Sequence, residues 1–448
     1  MAKTTDMTAG NPTKLIARFA FPLILTNIGQ QLYQITDAAI VGRGIGMEAL
    51  AALGATDWLY WLVLWAVQAM TQGFSVLFSQ CFGSQDREKM RKTITMSILL
   101  CAVIGTGLTV LSIGVSKPLL LALSTPDNIL DQAFTYLSTM YAGTLIVIAY
   151  NMSAAFLRSV GDGKSPLIAM GIAGTLNVGL DIVFVVVFKW GIRGAALATL
   201  LAQLAAFLYC LAEICKNEIF HFSRPDWMID YIIIKKLIYL GIPLALQQQV
   251  VVIGGIIAQW VINGCGFLFV AGFTATNKLH GLLDCSASAF GFAASTYIGQ
   301  NWGAKRMDRI RDGVRKTLML SVLFSLVLTV IMLLFGRQIV SLFISSSAEN
   351  AAQVLNIAYE YLVVMSLFLF SAYIMHTFRA TLQAMGTALA PTAAGFVEFA
   401  GRVGVALLLP RVIGAKGLYF IDGAAWLSSA IFLLAAYVLF MAKKRAVV

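Results

Sequence analysis

Apolar residues run through the chain in long blocks, separated by short polar segments. A helix that crosses a bilayer needs about 20 mostly apolar residues, and blocks of this length recur from end to end. The short alternating segments of a membrane barrel are absent from the pattern. Hydropathy along the sequence therefore predicts about twelve spanning helices. They cover residues 15–41, 52–80, 93–115, 132–157, 167–190, 193–215, 236–262, 268–297, 314–335, 353–378, 391–412 and 416–441.

The composition supports an all-α polytopic membrane protein. Of the 448 residues, 59% are hydrophobic and 12% are charged, and the mean hydropathy is +0.83. A soluble domain carries about 25% charged residues. The polar start MAKTTDMTAGNPTK and the long run after it do not have the form of a cleavable signal peptide.

The net charge of +11 does not indicate a nucleic-acid partner, because the basic residues are distributed by side. With twelve spans and the N-terminus inside, most of the 32 Lys and Arg residues, Arg379 among them, fall in inner segments. This asymmetry follows the positive-inside rule. We expect a multi-pass protein of a bacterial or archaeal plasma membrane with both termini in the cytoplasm.

The two halves of the chain resemble each other. FSVLFSQCFGSQDREKMRK (74–92) parallels AASTYIGQNWGAKRMDRIRD (293–312), and LRSVGDGKSP (157–166) parallels LQAMGTALAP (382–391). Six helices per half place both halves in the same orientation, so the predicted axis lies along the membrane normal. We predict an N-lobe at 1–212, a cytoplasmic linker at 213–236 and a C-lobe at 237–448.

Acidic residues inside apolar helices are the first candidates for function. Placing an Asp at the centre of a spanning helix costs about 2.5–3.5 kcal/mol on insertion scales, and such residues usually face a partner or a water-filled cavity. Five acids are predicted to lie in the spans: Asp37, Asp181, Asp284, Glu398 and Asp422.

The first span carries a polar stripe. Asn27, Gln30, Gln34 and Asp37 recur at helical spacing and therefore share one face. Tyr33 lies one turn before Asp37, at the edge of this stripe. We predict that the three amides of this stripe line a substrate cavity together with Gln203 of the sixth span.

The fifth and sixth spans carry matching polar pairs. Asn177 and Asp181 are one turn apart, as are Thr199 and Gln203. If these helices meet Asp37, two carboxylates converge with an amide and a hydroxyl. Two close carboxylates can share a proton, and hard oxygen ligands suit a small cation. A polar network that only fixes helix packing is the alternative.

Other polar residues of the spans favour structural roles. Glu398 and Arg402 are one turn apart in FVEFAGR, which predicts a structural ion pair. His280 and His376 are interpreted as helix residues with satisfied hydrogen bonds rather than as metal ligands.

Two further residues are predicted to face the substrate cavity. Gln248 belongs to the amide run 247–249, and amides cost less than charges inside a membrane. Asp284 lies near Lys278, so both a coupling acid and a partner of that lysine fit the pattern.

These features resemble the multidrug and toxic compound extrusion (MATE) family. The resemblance rests on IARFAFPLILTNIGQQLYQITDAAIVGRGIGMEALAALG, GQNWGAKRMDRI, LRSVGDGKSP with LQAMGTALAP, and FVEFAGR followed by GAKG, and it covers essentially the whole chain. It implies two six-helix bundles related by a pseudo-twofold axis, with a V-shaped central cavity. It also implies export of organic cations in exchange for inward Na⁺ or H⁺.

The branch that includes DinF and archaeal members is the most similar. For that branch the resemblance implies a cation site at Asp37, Asn177, Asp181 and Thr199 with Tyr33 adjacent, and the first four would be the Na⁺ ligands if Na⁺ is used. The chain departs from the NorM-like branch, since its seventh span has no acid and its tenth has only Glu360 near the outer end.

The function expected from the sequence is therefore a secondary active multidrug antiporter, not an enzyme. We expect a monomer in the lipid bilayer that moves small organic cationic or amphiphilic substrates, with no nucleic-acid partner and no cofactor besides the transported ion. Alternatives are a lipid-linked saccharide flippase, which needs more embedded bases than Lys278 and Arg402, and an exporter of a natural metabolite. A membrane-embedded transferase would need a D-D-x-x-D run, which the sequence lacks. A passive channel is a further alternative, but duplicated halves with acids inside their helices favour a carrier.

Overall fold

A computed structural model describes residues 4–123, 125–216, 222–344 and 350–445, with the side chains of residues 34, 38, 43, 47, 50 and 445 left out. The described residues form helices and connecting turns, with no strand among them, and the all-α prediction is confirmed. The helices are α1 (Pro12–Gly44), α2 (Met47–Gly83), α3 (Arg87–Ala122), α4 (Asp127–Ala142), α5 (Thr144–Ser159), α6 (Lys164–Asp181), α7 (Gly191–Cys215), α8 (Tyr231–Asn263), α9 (Phe267–Gly303), α10 (Met307–Ser341), α11 (Ala351–Ala384), α12 (Leu389–Leu408), α13 (Pro410–Ile413) and α14 (Ile421–Arg445).

Ten of the twelve predicted spans fall on one of these helices or on a consecutive pair. The fifth continues from α6 through a π-helical segment, Ile182–Val187, to residue 190, and the twelfth begins in the 3₁₀ segment Gly414–Phe420 before α14. The fourth span is the pair α4 and α5, which bend by 48° at Gly143. By length and composition, eight stretches of the described chain can cross a membrane, or nine with this bent pair. One of the eight, Leu389–Lys444, contains both α12 and α14. α1 and α9 are not among the eight; they carry many of the polar residues singled out from the sequence.

Corresponding helices of the two halves have matching lengths. α1 and α8 each have 33 residues and each contain a proline, Pro22 and Pro243. α2 and α9 each have 37 residues and end at Gly83 and Gly303. The halves differ where the α4–α5 pair bends, because α11 continues through the equivalent region as one helix of 34 residues.

The chain forms two compact units. The first contains residues 1–8, 21–245 and 303–305, and the second contains 9–20, 246–302 and 306–448. The division passes through α1 next to Pro22 and through α8 two residues after Pro243. Proline removes a hydrogen bond from a helix interior, so both helices are locally weakened near these points.

In the first unit, the start of α8 packs against α2 at backbone distance. A Cβ on Gly73 would lie 2.5 Å from the carbonyl oxygen of Leu240, and a Cβ on Gly241 would lie 2.6 Å from the ring of Phe74. Leu237 and Leu240 belong to the same buried cluster as Phe74. Glycine is required at this crossing because any larger side chain would separate the helices.

In the second unit, aromatic rings stack between α9, α11 and the 3₁₀ segment Gly414–Phe420. The rings of Phe273 and Tyr361 are 4.0 Å apart at 11°, and those of Phe269 and Tyr419 are 5.7 Å apart at 6°. Tyr361 and Tyr373 are fully buried. This packing holds α11 against α9 and brings the polar residues of both helices together.

Candidate functional site

Asp37 and Asp181 lie inside the first unit, on helices that are far apart in sequence. Asp37 is on α1 and is partly buried, and Asp181 is the last residue of α6 and is fully buried. Directly after Asp181 the backbone changes to a π-helical segment, Ile182–Val187. Single π-helical turns within α-helices are rare and occur often at functional sites.

The two carboxyl groups face each other within hydrogen-bonding reach. Beside them, Asn177 Nδ2 donates to Thr199 Oγ1 at 3.3 Å, and both residues are buried. The structure therefore brings together Asp37 and Asp181, and it joins Asn177, one turn before Asp181, to Thr199.

The buried oxygen atoms of this group lack hydrogen-bond donors. Within the described part of the chain, no partner is found for Asp37 Oδ1, Asn177 Oδ1 or either carboxylate oxygen of Asp181. A buried polar atom without a partner costs about 1–3 kcal/mol, and more when it is charged. A proton shared between the carboxyl groups, or a cation bound by these oxygens, would remove this cost.

The donor set favours a proton or a hard cation over a transition metal. Its atoms are oxygens of carboxylate, amide and hydroxyl groups, which suit hard cations such as Na⁺. Transition metals are usually held by histidine or cysteine as well. Throughout the described residues, no group of three His, Cys, Asp or Glu side chains is placed to hold a metal ion.

Two tyrosines near Asp37 were missed by the reasoning from sequence. Tyr60 on α2 lies within hydrogen-bonding reach of Gln203 and close enough to Asp37 to interact with its charge. Tyr136 on α4 is buried and is also close enough to Asp37 to interact with its charge. Tyr33 is close to both tyrosines. Asp57, one turn before Tyr60 in DWLY, was the available signal for Tyr60, and nothing in the sequence indicated Tyr136.

The remaining predicted cavity residues stay predictions. Asn27 and Gln30 are partly buried on α1, and Gln248 is partly buried on α8. The side chain of Gln34 lies outside the described part of the structure. The neighbour of Gln248, Gln247, is the more deeply buried residue, with 3% exposure.

The second unit contains a buried network of charged residues. Arg402 Nη2 lies 3.6 Å from Glu398 Oε1, the pair predicted from sequence, and 3.4 Å from Asp422 Oδ1. Glu398 has a shorter contact with Arg379, from Nη2 to Oε2 at 2.6 Å. The Tyr361 hydroxyl donates to Asp422 Oδ2 at 2.5 Å. Two carboxylates and two guanidinium groups therefore neutralise each other.

Arg379 lies elsewhere than the hydropathy pattern predicted. The pattern ended the tenth span at residue 378 and left Arg379 in an inner segment, but α11 continues to Ala384. The Arg379 side chain is 12% exposed. With its amide turned to satisfy both contacts, Gln247 accepts from Arg379 Nε at 3.1 Å and donates to the Pro391 carbonyl oxygen at 3.2 Å. These partners offset the cost of burying the guanidinium group.

Asp284 pairs with a histidine rather than with a lysine. Its Oδ1 lies 3.2 Å from His376 Nε2, and its side chain is 37% exposed. His280, one turn before Asp284, stacks on Trp426 with ring centroids 5.5 Å apart. The contact between Asp284 and His376 joins α9 to α11.

The chain is similar to known proteins in both sequence and fold. The chain matches the MatE family over residues 22–183 and 243–407. It is 31% identical to the probable multidrug resistance protein YpnP of Bacillus subtilis, over 77% of each chain, and 24% identical to an FAD transporter of Shewanella oneidensis, over 71% of each. A multidrug resistance MATE transporter solved in an outward-facing conformation superposes with a TM-score of 0.91 at 22% identity, over 99% of each chain. The chain thus belongs to the MatE family and is a multi-pass membrane transporter rather than an enzyme.

Proposed function

We propose that this transporter is a secondary active exporter that expels small organic cations in exchange for inward H⁺ or Na⁺, with the coupling site at Asp37 and Asp181. The observation that carries the proposal is the pair of facing carboxyl groups whose buried oxygens lack donors. Such a site gains free energy by taking up a cation or a proton. Asn177 and Thr199 complete an oxygen ligand set that would serve Na⁺.

Ion uptake at this site would couple to a change in α1. Asp37 is on the same helix as Pro22, whose missing N–H weakens the helix, and Thr26 Oγ1 donates to the Pro22 carbonyl oxygen at 2.8 Å. Neutralising the carboxylates removes their repulsion and lets α1 shift near Pro22, which expels the substrate. Ion and substrate must favour different states, because otherwise binding of one would not affect the other.

The energetics limit the stoichiometry. One elementary charge that crosses 100 mV contributes about 2.3 kcal/mol. Exchange of one proton or Na⁺ for one monovalent organic cation moves no net charge across the membrane. Such an exchange would be driven by the ion's concentration gradient alone, and a second ion would be needed to use the membrane potential.

The relatives support a location in a bacterial plasma membrane. We infer that both termini and the basic linker 213–236 face the cytoplasm, since this orientation places most basic residues inside. We further infer a monomer surrounded by lipid, with small organic molecules rather than nucleic acid as its partners. Transporters of this family need no cofactor.

A second cargo class is raised by the relative named as an FAD transporter. A diphosphate cargo, whether a dinucleotide or a lipid-linked saccharide, needs uncompensated basic groups to bind. The buried guanidinium groups of Arg379 and Arg402 are instead paired with Glu398 and Asp422. This pairing favours a cationic cargo over an anionic one.

The test is transport of ethidium into everted membrane vesicles under imposed Na⁺ or pH gradients. We expect gradient-driven transport in wild type, and in D37N and D181N a fall to the level of vesicles without the protein. D131N is the matched control, because Asp131 is an exposed acid of α4, and it should transport like wild type. FAD is assayed in parallel as the anionic cargo.

Undiminished gradient-driven transport in D37N would overturn the coupling role of Asp37. Transport of FAD without transport of ethidium would overturn the proposal of a cationic cargo. The coupling role of Asp37 and Asp181 would then be tested with the same variants and with FAD as the cargo. Equal amounts of each variant in the membrane are checked by immunoblot.

A further inference from the structure

The start of α3 and the residues around the start of α8 form one surface of the first unit. Arg91 Nε lies 3.3 Å from Asp226 Oδ2, and the backbone N–H of Asp230 donates to Met96 Sδ at 3.4 Å. These contacts hold segment 222–230 against α3. The charged side chains at the starts of the two helices therefore belong to the same surface.

The acids of this surface already have partners. Segments 86–92 and 222–236 contain seven basic and four acidic residues, a net charge of +3. Glu88 pairs with Lys92 at 2.9 Å, and Asp226 holds Arg91. The two remaining acids, at positions 86 and 230, accept hydrogen bonds from backbone N–H groups in the first turns of α3 and α8.

Five basic side chains of the two segments have no ion-pair partner among the described residues. They form a basic patch that consists of Arg87, Lys89, Arg224, Lys235 and Lys236, all exposed. Lys89 of α3 and Lys236 of α8 are close enough for their charges to repel each other. An anion between these two ammonium groups would turn this repulsion into attraction.

The first turns of α8 combine this charge with exposed apolar side chains. Ile233 and Leu237 are buried in the same apolar cluster as Phe74, whereas Ile232 and Lys236, one turn apart, point away from it and are exposed. Six large apolar side chains with exposures between 37% and 82% adjoin the basic patch: Phe222, Trp227, Met228, Ile229, Tyr231 and Ile232. Exposed apolar groups of this size mark a contact with lipid or with a partner.

The partner must match both parts of this surface. Clusters of about four to eight Lys and Arg beside a spanning helix attract anionic lipids, and Trp and Tyr are enriched at the level of the lipid headgroups. A free phosphate would satisfy the basic patch but would leave the apolar side chains uncovered. A phospholipid with a net negative charge covers both.

We propose that this surface binds an anionic phospholipid, with its phosphate between Lys89 and Lys236 and its acyl chains against the adjoining apolar side chains. The site is separate from the coupling acids Asp37 and Asp181. It depends on the orientation proposed above only for the choice of leaflet, which is the cytoplasmic one. The bound lipid would fasten the linker to the membrane surface.

The test is lipid binding to the purified full chain in detergent, measured by native mass spectrometry as the affinity for the first bound lipid. Phosphatidylglycerol is compared with phosphatidylcholine of the same acyl chains, whose choline group cancels the phosphate charge. We expect wild type to prefer phosphatidylglycerol about tenfold. K89Q/K236Q should bind both lipids equally, whereas K89R/K236R should keep the preference.

Two controls separate this site from a general effect of charge. K189Q/R411Q removes the same number of positive charges from exposed positions outside the surface and should keep the wild-type preference. Glycerol 3-phosphate, which has a phosphate but no acyl chain, should not displace phosphatidylglycerol at equal concentration. The melting temperature of K89Q/K236Q without added lipid should not lie below that of wild type, because the variant removes a repulsion.

The inference is overturned by wild-type protein that binds the two lipids equally, since apolar contact alone would then explain the binding. A preference that persists in K89Q/K236Q, or that is lost in K189Q/R411Q as well, also contradicts it. Displacement by glycerol 3-phosphate at equal concentration would identify a free phosphate as the ligand instead. The coupling role of Asp37 and Asp181 is tested separately, by gradient-driven transport in vesicles.

Discussion

Individual acids inside the two units differ in whether their carboxylate oxygens are held by hydrogen-bond donors or basic groups. Glu398 contacts two arginines, and Asp422 contacts Arg402 and the Tyr361 hydroxyl. Both oxygens of Asp181 are buried without a donor in the described residues. An acid with donors stabilises its ionised form locally, whereas an acid without them requires a proton or a cation. This difference separates structural acids from candidate coupling acids.

At the residue scale, the hydroxyl of Thr199 should distinguish Na⁺ from H⁺. We expect T199A to need about tenfold more Na⁺ for half-maximal Na⁺-driven transport, a change equivalent to about 1.4 kcal/mol of binding. Transport driven by a pH gradient should stay at the wild-type level, since two carboxyl groups are enough to hold a proton. The measurement is ethidium transport in everted vesicles with each gradient applied separately.

T199S, which keeps the hydroxyl, is the matched control and should behave like wild type with both gradients. Equal loss of Na⁺-driven and pH-driven transport in T199A would contradict a ligand role and indicate a packing role for Thr199, whose hydroxyl accepts from Asn177.

At the element scale, the contact of α2 with the start of α8 depends on a glycine. A Cβ on Gly73 would lie 2.5 Å from the Leu240 carbonyl oxygen and 2.7 Å from the Cα of Gly241, and backbone atoms cannot move aside as a flexible side chain can. Glycine at this position therefore sets how closely α2 and the start of α8 approach each other.

We expect G73A to lower the stability of the purified protein by about 1–3 kcal/mol, the usual cost of overpacking. The measurement is thermal unfolding in detergent, followed by size-exclusion chromatography with fluorescence detection. G54A is the control within the same helix, because a Cβ on Gly54 meets nothing within 4 Å, and it should leave the melting temperature unchanged or slightly raised. Equal melting temperatures for G73A and G54A would show that α2 and α8 can separate without cost.

At the scale of the whole molecule, the linker between the halves is fastened to the first unit by a buried acid. Asp226 accepts hydrogen bonds from the backbone N–H and the hydroxyl of Ser223, both at 2.7 Å, and pairs with Arg91 at 3.3 Å. Its carbonyl oxygen accepts from Thr95. Burial raises the pKa of Asp226, but the Ser223 hydrogen bonds and Arg91 outweigh it, so that the pKa lies below its usual value.

Because this pKa is lowered in the folded state, ionised Asp226 stabilises the folded linker fully at pH values above its pKa in the unfolded state, near 3.8. This stability is lost as the pH falls through the lowered pKa of the folded state. We therefore expect wild type to protect segment 222–230 from hydrogen exchange at pH 7 and to lose that protection only below about pH 3.8. D226N should have weak protection at pH 7 and no such step. Exchange is measured by mass spectrometry and corrected for the intrinsic rate at each pH.

E213Q is the control for this prediction, because Glu213 pairs with the exposed Lys216 near the end of α7. Exposed ion pairs contribute little to stability, and segment 222–230 should be as protected as in wild type. Wild-type protection of the segment in D226N would mean that the linker is held by its apolar contacts alone.

The all-helical character of the chain, the approximate positions of its apolar spans and the five acids that they contain were predictable from the sequence alone. Apolar length and the cost of a buried charge are properties of a single helix, and they can be read without knowing its neighbours. The stripe on α1 and the pair Asn177 and Asp181 were predictable for the same reason, since helical periodicity places them on one face.

Only the tertiary structure decided which of these acids meet each other and which meet a base. Asp37 and Asp181 face each other without donors, whereas Glu398 is held by Arg379 from a different helix. Asp284 pairs with His376 across α9 and α11, although the sequence offered Lys278 as the nearer base. Contacts between helices depend on their rotation and crossing, which are set by packing over the whole unit and which no single helix encodes.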